Sequence, residues 1–255
     1  MKKNRFLPFI LLLLSTGTLN AQSAETGFLN RSISVDGLEY RYQVYVPYNY
    51  TAAEEWPVTL FLHGAGERGS DGLKQTQVGL GRAIRLNPER WQTLAVFPQV
   101  PAGESWQEVA GDVAMAALDV TIAEFSVDAG RLYLTGISLG GNGTWYLGYH
   151  HTEQFAAMVA VCGFVDLGGR FPGFLPEAEN SFAALAEDLS DTPVWIVHGD
   201  ADVVVPVEQS RKMAAALEAV GTDIHYTELT GVNHNSWDAA YANSDLISWL
   251  FDQKL

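Results

Sequence analysis

The sequence predicts an α/β protein with a mostly parallel central sheet, an N-terminal antiparallel hairpin and helices on both faces. Three observations lead to this prediction. The first is a series of short, nearly continuous apolar runs, which are typical of parallel strands buried on both faces. The second is helical apolar spacing between several of these runs, and the third is an alternating pattern near the start of the chain. Strands that alternate with helices form a parallel sheet with right-handed crossovers.

The first residues have the pattern of a secretion signal. Three basic residues precede an apolar run over residues 6–14, and small and polar residues follow it. The run is too short to cross about 30 Å of hydrocarbon as a helix. We therefore expect residues 1–21 to be a signal peptide, with cleavage near Ala21 or Ala24. Residues 25–255 are then expected to form a single domain in a secreted or periplasmic protein.

The hairpin is the first element expected after the signal. Residues 38–46 alternate between apolar and mostly polar side chains, which indicates a half-buried strand. Ile33 and Val35 alternate with serines just before it, and Asp36-Gly37 is a two-residue turn sequence. The pattern predicts two antiparallel strands joined by that turn.

Parallel strands and helices are expected to alternate after the hairpin. Strands are predicted at residues 58–62, 94–97, 132–135, 158–161 and 194–197, with a more polar last strand at residues 225–229. Helical spacing is found at Met115, Leu118, Ile122 and Phe125, and again at Met213, Leu217 and Val220, with Gly221 as the expected C-cap. In such sheets ligands bind beyond the carboxyl ends of the strands, so functional residues are expected there.

Charge, cysteine and histidine content exclude several classes of function. The chain has 30 acidic and 15 basic residues, and this surplus of negative charge repels phosphate backbones and anionic lipid. We expect no nucleic-acid partner, no membrane partner after signal cleavage and no cofactor. Cys162 is the single cysteine and follows an apolar run, which indicates a buried, inert thiol. The neighbouring His150 and His151 point in different directions without a carboxylate at ligand spacing, so no metal site is expected.

Polar groups follow four of the predicted strands. The segments are HGAG at 63–66, GISLG at 136–140, HGDAD at 198–202 and GVNHNSW at 231–237. Gly-x-Ser-x-Gly between an apolar strand and a helix is the pattern of a nucleophilic serine, here Ser138, on a sharp turn. The Leu139 N–H then lies at a helix N-terminus, where it would hold a substrate oxyanion, and the Ala65 N–H is the expected second donor.

The acid and the base are expected after the later strands. A serine hydroxyl needs a base to take its proton, and His234 follows the last predicted strand. Three carboxylates, Asp166, Asp200 and Asp202, lie at strand ends and are candidates for the acid. The order Ser, Asp, His along the chain is the order found in one large class of serine hydrolases.

These motifs resemble those of secreted α/β-hydrolases of the predicted-peptidase group, which is similar to polyhydroxybutyrate-depolymerase-like and feruloyl-type esterases. The matching segments are LFLHGAGERGSDG, FPQVPAGESW, LYLTGISLGGNGTW, VWIVHGDADVVVPV and GVNHNSWDAAY. The resemblance implies the α/β-hydrolase fold, with Ser138 as nucleophile, Asp202 as acid and His234 as base. The implied activity is hydrolysis of carboxylic esters. A serine peptidase or amidase with the same triad, or a non-catalytic secreted binding protein, are the alternatives.

The substrate prediction depends on aromatic residues and on one insertion. Trp106, Phe164 and Trp237 follow strands and are candidates for the walls of a substrate pocket, with core packing as the alternative for each. The insertion at residues 163–192 is too short to form a helical lid domain. The sequence therefore predicts esters with short-chain or aromatic acyl groups, either small molecules or esters attached to a polymer.

Overall fold

The computed structural model of the protein describes residues 25–169, 171, 173–175 and 177–255, so the expected signal peptide lies outside the described residues. The described part contains eight strands: β1 Gly27–Val35, β2 Leu38–Val46, β3 Trp56–Leu62, β4 Leu94–Pro98, β5 Val127–Ile137, β6 Ala157–Val161, β7 Val194–Gly199 and β8 Ile224–Leu229. They form one sheet in the order β1-β2-β4-β3-β5-β6-β7-β8. β2 is antiparallel to both β1 and β4, and the other neighbours are parallel.

Seven α-helices cover the sheet in the described part of the chain. They are α1 Gly79–Leu86, α2 Val109–Glu124, α3 Leu139–His150, α4 Ser181–Asp188, α5 Glu208–Val220, α6 Trp237–Ala242 and α7 Ser244–Asp252. Helices α2 to α5 contribute to one apolar core, and α1, α6 and α7 contribute to a second core on the opposite face. The predicted architecture is therefore confirmed. Within the described ranges, no helix has the length and apolar character needed to cross a membrane.

The hairpin differs from its prediction in one respect. Leu38 is 62% exposed, whereas both faces of β2 are buried from Tyr42 onward. The Tyr45 ring packs 5.1 Å from Phe28, and Gln43 donates a hydrogen bond to the Asn30 side chain. The expectation of a half-buried strand is wrong for this part of β2, because pairing with β4 draws it into the centre of the sheet, where helices cover both faces.

Chain direction in the sheet places the candidate residues at one edge. Strands β3 to β8 run parallel, so the segments that follow β3, β5, β7 and β8 leave the sheet on the same side. The predicted C-cap of α5 is also found, with Gly221 in the left-handed conformation at φ 85°. β8 is an edge strand, and none of its six residues is fully buried.

Candidate active site

Ser138 lies on a strained turn between β5 and α3. Its φ of 53° and ψ of −112° are unusual for a residue with a side chain, and such strain is concentrated at functional sites. The turn closes tightly because its glycines lack Cβ atoms. A Cβ at Gly136 would overlap the carbonyl oxygen of Gly140, and a Cβ at Gly140 would overlap that of Leu62. The neighbouring glycines thus let α3 start directly against the end of β3.

The structure brings Ser138, His234 and Asp202 together in one hydrogen-bonded chain. His234 Nε2 lies 2.9 Å from the Ser138 hydroxyl oxygen, and His234 Nδ1 lies 2.7 Å from Asp202 Oδ2. The three residues come from the loops after β5, β8 and β7, and the serine and histidine are 96 positions apart. Because Asp202 Oδ2 can only accept, His234 Nδ1 donates to it, which leaves Nε2 able to take the serine proton.

The side chain of Asp202 is fully buried and is held ionised. Its Oδ1 accepts hydrogen bonds from the backbone amides of Val204 at 2.8 Å and Val205 at 2.9 Å. Burial by itself would raise the pKa of the Asp202 carboxyl. Hydrogen bonds from His234, Val205 and Val204 outweigh that effect and hold the pKa below its ordinary value. The carboxylate thus carries its negative charge next to His234.

The other two candidate carboxylates have structural partners. Asp200 Oδ1 accepts a hydrogen bond from the Gly231 amide at 2.6 Å, and Asp166 Oδ1 accepts one from the Gly168 amide at 2.6 Å. The Asp200 bond joins two loops and the Asp166 bond closes a turn within one loop, and only Asp202 among the three candidates hydrogen-bonds to His234.

His198 also contacts this site, although its sequence pattern does not predict that contact. Its Nε2 lies 3.1 Å from Asp202 Oδ2, the same oxygen that accepts from His234. The spacing of four residues between His198 and Asp202 was the available signal, but it indicates proximity only when the connecting turn is known.

The two expected oxyanion donors lie at the starts of helical segments. Leu139 is the first residue of α3, and Ala65 is the first residue of a 3₁₀ turn, Ala65–Glu67. In the described part of the chain, neither backbone N–H donates a hydrogen bond to a protein acceptor. Amides at a helix N-terminus lack intrahelical partners and are suited to bind an anion.

His63 fixes the orientation of the peptide bond that carries the Ala65 N–H. The Val100 amide donates to His63 Nε2 at 3.0 Å, so Nδ1 carries the proton and donates to the Gly64 carbonyl at 2.6 Å. Burial lowers the pKa of His63 to about 4, which keeps the ring neutral. Because a trans peptide directs its C=O and N–H to opposite sides, holding the Gly64 carbonyl turns the Ala65 N–H away from His63.

Of the three pocket candidates, only Trp237 is partly exposed beside the hydrogen-bonded chain. Its ring centroid lies 5.6 Å from that of His234 in an edge-on arrangement. Trp106 is fully buried, and its Nε1 donates to the His63 carbonyl at 2.9 Å. Its indole therefore lies in the core beneath the loop that follows β3, and supports that loop. The expectation that Trp106 lines an open pocket is wrong for this reason. Phe164 is 4% exposed and packs against Phe171.

Two further sequence interpretations concern residues away from this chain of hydrogen bonds. Burial raises the pKa of the Cys162 thiol to about 12, so the thiol stays protonated, as expected of an inert residue. The ring of His150 packs against those of Tyr146 and Tyr149, at centroid distances of 4.4 and 4.9 Å. Aromatic packing therefore accounts for the position of the His150 ring.

Comparison with known sequences decides the family. The sequence profile of the phospholipase/carboxylesterase family matches residues 110–243, more than half of the chain. The chain belongs to this family. The matched region of this phospholipase/carboxylesterase family member includes Ser138, Asp202 and His234. The assignment confirms the α/β-hydrolase fold expected from the motifs.

This phospholipase/carboxylesterase family member is similar to three known proteins, among others. A thermostable esterase of known structure is 30% identical, with a TM-score of 0.75, over 89% of this chain and 63% of its own. An uncharacterized secreted protein of Arthroderma benhamiae is 26% identical, over 78% of this chain and 23% of its own length. Acyl-protein thioesterase 1 of Neurospora crassa is 21% identical, over 72% of this chain and 82% of its own length. The chain thus spans about a quarter of the Arthroderma protein and less than two thirds of the esterase.

Proposed function

We propose that this protein is a serine hydrolase that cleaves carboxylic esters through an acyl-enzyme intermediate. The observation that carries the proposal is the continuous hydrogen-bonded chain from Ser138 through His234 to the buried Asp202 carboxylate. A serine hydroxyl becomes an effective nucleophile only when a neighbouring base accepts its proton. The strained turn supports the same conclusion, because it exposes the hydroxyl at the carboxyl edge of the sheet.

The mechanism follows from the position of each group. Ser138 Oγ attacks the ester carbonyl carbon while His234 Nε2 takes the hydroxyl proton, and Asp202 stabilises the imidazolium that forms. The Ala65 and Leu139 amides hold the negative carbonyl oxygen of the tetrahedral intermediate. His234 then gives its proton to the departing alkoxide. A water molecule repeats the sequence on the acyl-enzyme, and the acid leaves with Ser138 restored.

The insertion favours soluble substrates with short or aromatic acyl groups. Its helix α4 is only eight residues long and packs on the protein, with Leu185 fully buried. Phe174 packs against Tyr146 and Tyr149 of α3, which holds the described part of the insertion to the body of the domain. An amphipathic lid for aggregated lipid needs an apolar face that is released on opening. The formal net charge of −15 also disfavours approach to anionic interfaces.

Thioesters belong in the same substrate test. The Neurospora relative is named an acyl-protein thioesterase, and a thioester carbonyl is attacked by the same serine chemistry. A thiolate leaving group needs less help from His234 than an alkoxide does, so short-chain acyl thioesters are expected to be cleaved as well. Peptide bonds have a poorer leaving group, and casein is expected to be cut slowly or not at all.

Covalent labelling tests the proposal directly. A fluorophosphonate probe should label the wild-type protein at Ser138, and the Ser138→Ala variant should lose labelling and about 10⁶-fold in kcat. Ser34→Ala, which changes an exposed serine of β1, is the matched control and should keep both. Labelling at another residue, or near-normal turnover in a folded Ser138→Ala protein, would refute the assignment.

A substrate panel tests the acyl preference separately. It comprises p-nitrophenyl esters of two to sixteen carbons, methyl ferulate, a short-chain acyl thioester, an emulsified triglyceride and casein. Fast cleavage of the short and aromatic esters supports the proposal. A preference for the sixteen-carbon ester, or a rise in rate at the emulsion interface, would contradict the lid argument. Casein cleavage that is lost in Ser138→Ala would favour a peptidase.

The site of action is proposed to lie outside the cytoplasm. The basic and apolar N-terminal pattern supports export, and a relative from Arthroderma benhamiae is named a secreted protein. N-terminal sequencing of the mature protein from medium and periplasmic fractions should show a start after Ala21 or Ala24. An intact Met1 on active protein in the cytosolic fraction would refute export.

A further inference from the structure

A second histidine shares the carboxylate oxygen that orients His234. Asp202 Oδ2 lies 2.7 Å from His234 Nδ1 and 3.1 Å from His198 Nε2. The His198 side chain, on β7, has no solvent exposure, and neither has that of Asp202. Asp202 therefore accepts four hydrogen bonds, two from histidines and two from the amides of Val204 and Val205.

The surroundings of His198 define where its proton lies. Nε2 is also 3.1 Å from the Val205 carbonyl, so both neighbours of this nitrogen are acceptors and Nε2 must carry hydrogen. Burial lowers the pKa of His198, which keeps the ring neutral and makes Nδ1 an acceptor. The buried hydroxyl of Ser210, on α5, lies 2.7 Å from Nδ1 and donates to it. Ser210 thus secures the tautomer in which His198 donates to Asp202.

We propose that His198 is a positioning residue for the reaction proposed above, which fixes the Asp202 carboxylate and limits how strongly that carboxylate attracts the proton of His234. The inference rests on the proposed function, because it concerns the same acid and base. A carboxylate oxygen that accepts two N–H groups has less negative potential available to each of them. His198 is the only one of the four donors, other than His234, that contacts Oδ2.

Loss of the His198 donor has a defined direction of effect. Asp202 Oδ2 would then interact with His234 alone and stabilise its protonated form more strongly. A base that holds its proton to higher pH is active only at higher pH, so the acid limb of the activity profile moves upward. The carboxylate would also be less constrained in orientation, which lowers kcat more than it changes KM.

The other charged and titratable groups near these residues stay the same in such a variant. Glu228 on β8 faces His198 and is paired with Arg211 of α5 at 2.6 Å. The Cys162 thiol, after β6, remains protonated, and Asp200 is held by the Gly231 amide. A shifted limb can therefore be assigned to the removed N–H group.

Three substitutions test the role of His198. His198→Phe removes the donor and keeps a ring, whereas the side-chain amide of His198→Gln can still donate to Asp202. Ser210→Ala keeps the histidine and removes only the group that secures its tautomer. Thr121→Val, which removes a buried hydrogen bond within α2, is the control for a general loss of stability. The readouts are kcat and KM for p-nitrophenyl acetate across pH, with the folded fraction measured by circular dichroism.

The expected results differ between the variants. His198→Phe should lower kcat by about 10-fold or more, as is typical for groups that orient another functional residue, with KM within about twofold. Its acid limb should rise by about half a pH unit or more, while His198→Gln and Thr121→Val should stay within about 0.2 unit of the wild type. Ser210→Ala should shift the limb in the same direction by less. If His198→Phe does not fold, Ser210→Ala becomes the deciding variant, and an unmoved acid limb in Ser210→Ala then overturns the inference.

The outcome separates this inference from the proposed function. If the fluorophosphonate probe labels wild-type Ser138 but the limb of folded His198→Phe is unmoved, the positioning role is refuted and the hydrolase assignment stands. If the wild-type protein is neither labelled nor active, the proposed function itself fails. A fall in kcat that only follows the folded fraction, with an equal fall in Thr121→Val, also overturns the positioning role.

Discussion

Asp202→Asn is the sharpest test of the acid, because the structure specifies what the amide would face. Asp202 Oδ1 accepts from two backbone amides, so the carbonyl oxygen of asparagine is expected to take that position. The NH₂ group would then replace Oδ2 and point its hydrogens at the N–H groups of His234 and His198. His234 can escape this conflict only by moving its proton from Nδ1 to Nε2.

That change removes the base. With hydrogen on Nε2, His234 can no longer accept the proton of Ser138, and kcat should fall by about 10⁴-fold, or about 5 kcal/mol of transition-state stabilisation. The opposed donors should also destabilise the fold by about 1–3 kcal/mol. Rates with p-nitrophenyl acetate are therefore compared per folded protein, after urea unfolding of each variant.

Asp200→Asn is the matched control. It changes a carboxylate two residues away whose Oδ1 accepts from Gly231, and an asparagine oxygen can still accept that bond. Activity per folded protein should stay within about threefold of the wild type, since the orientation of His234 is untouched. If Asp200→Asn is the inactive variant and Asp202→Asn is not, the reasoning about the acid is wrong.

Three further outcomes are expected. The free energy of unfolding should fall as pH drops from about 6.5 towards 4, by up to about 3 kcal/mol from His63 alone. The folded-state pKa of His63 is about 4, so between these pH values only the unfolded chain takes up a proton at this residue. Urea unfolding at both pH values should show a smaller fall in His63→Asn, which removes the titrating group. Gly140→Ala should destabilise the fold by about 3 kcal/mol or more, because the added Cβ overlaps the Leu62 carbonyl. Gly66→Ala, which has open space around the added Cβ, should be tolerated. Equal melting temperatures for the two variants would contradict this expectation. Trp237→Ala should raise KM for methyl ferulate by about fivefold and leave KM for ethyl acetate nearly unchanged. The reason is that the partly exposed Trp237 ring offers a stacking surface beside His234. Equal effects on the two esters would argue against a pocket role for Trp237.

The parts of the site that sequence predicts well are those that depend on chain direction. Parallel apolar runs predict that their carboxyl ends meet, and Ser138, Asp202 and His234 are indeed found in contact there. Their catalytic roles remain predictions. The glycines around Ser138 also predict the tight turn from sequence alone, because that turn leaves no room for a side chain at Gly136 or Gly140.

The parts that sequence predicts poorly depend on how side chains pack. Trp106 follows a strand as pocket residues do, yet its indole lies beneath the loop because the His63 carbonyl accepts its N–H. His198 similarly reads as a strand-end histidine, and only the folded loop brings it to Asp202. β2 looked half-buried because its alternation is local, whereas its burial depends on pairing with the distant β4.

His234, the proposed base, follows an exposed edge strand, and this position is expected to make activity sensitive to partial unfolding. β8 pairs with β7 on one side only, and His234 lies beyond its end, whereas Ser138 follows the central strand β5. Edge elements open at lower free energy than the core, so fraying of β8 would separate His234 from Ser138 while Ser138 stays in place. Moderate urea should therefore abolish turnover before the fluorescence of buried tryptophans changes, and dilution should restore it quickly. A heat-inactivation temperature measured by turnover would then be lower than the melting temperature of the rest of the domain.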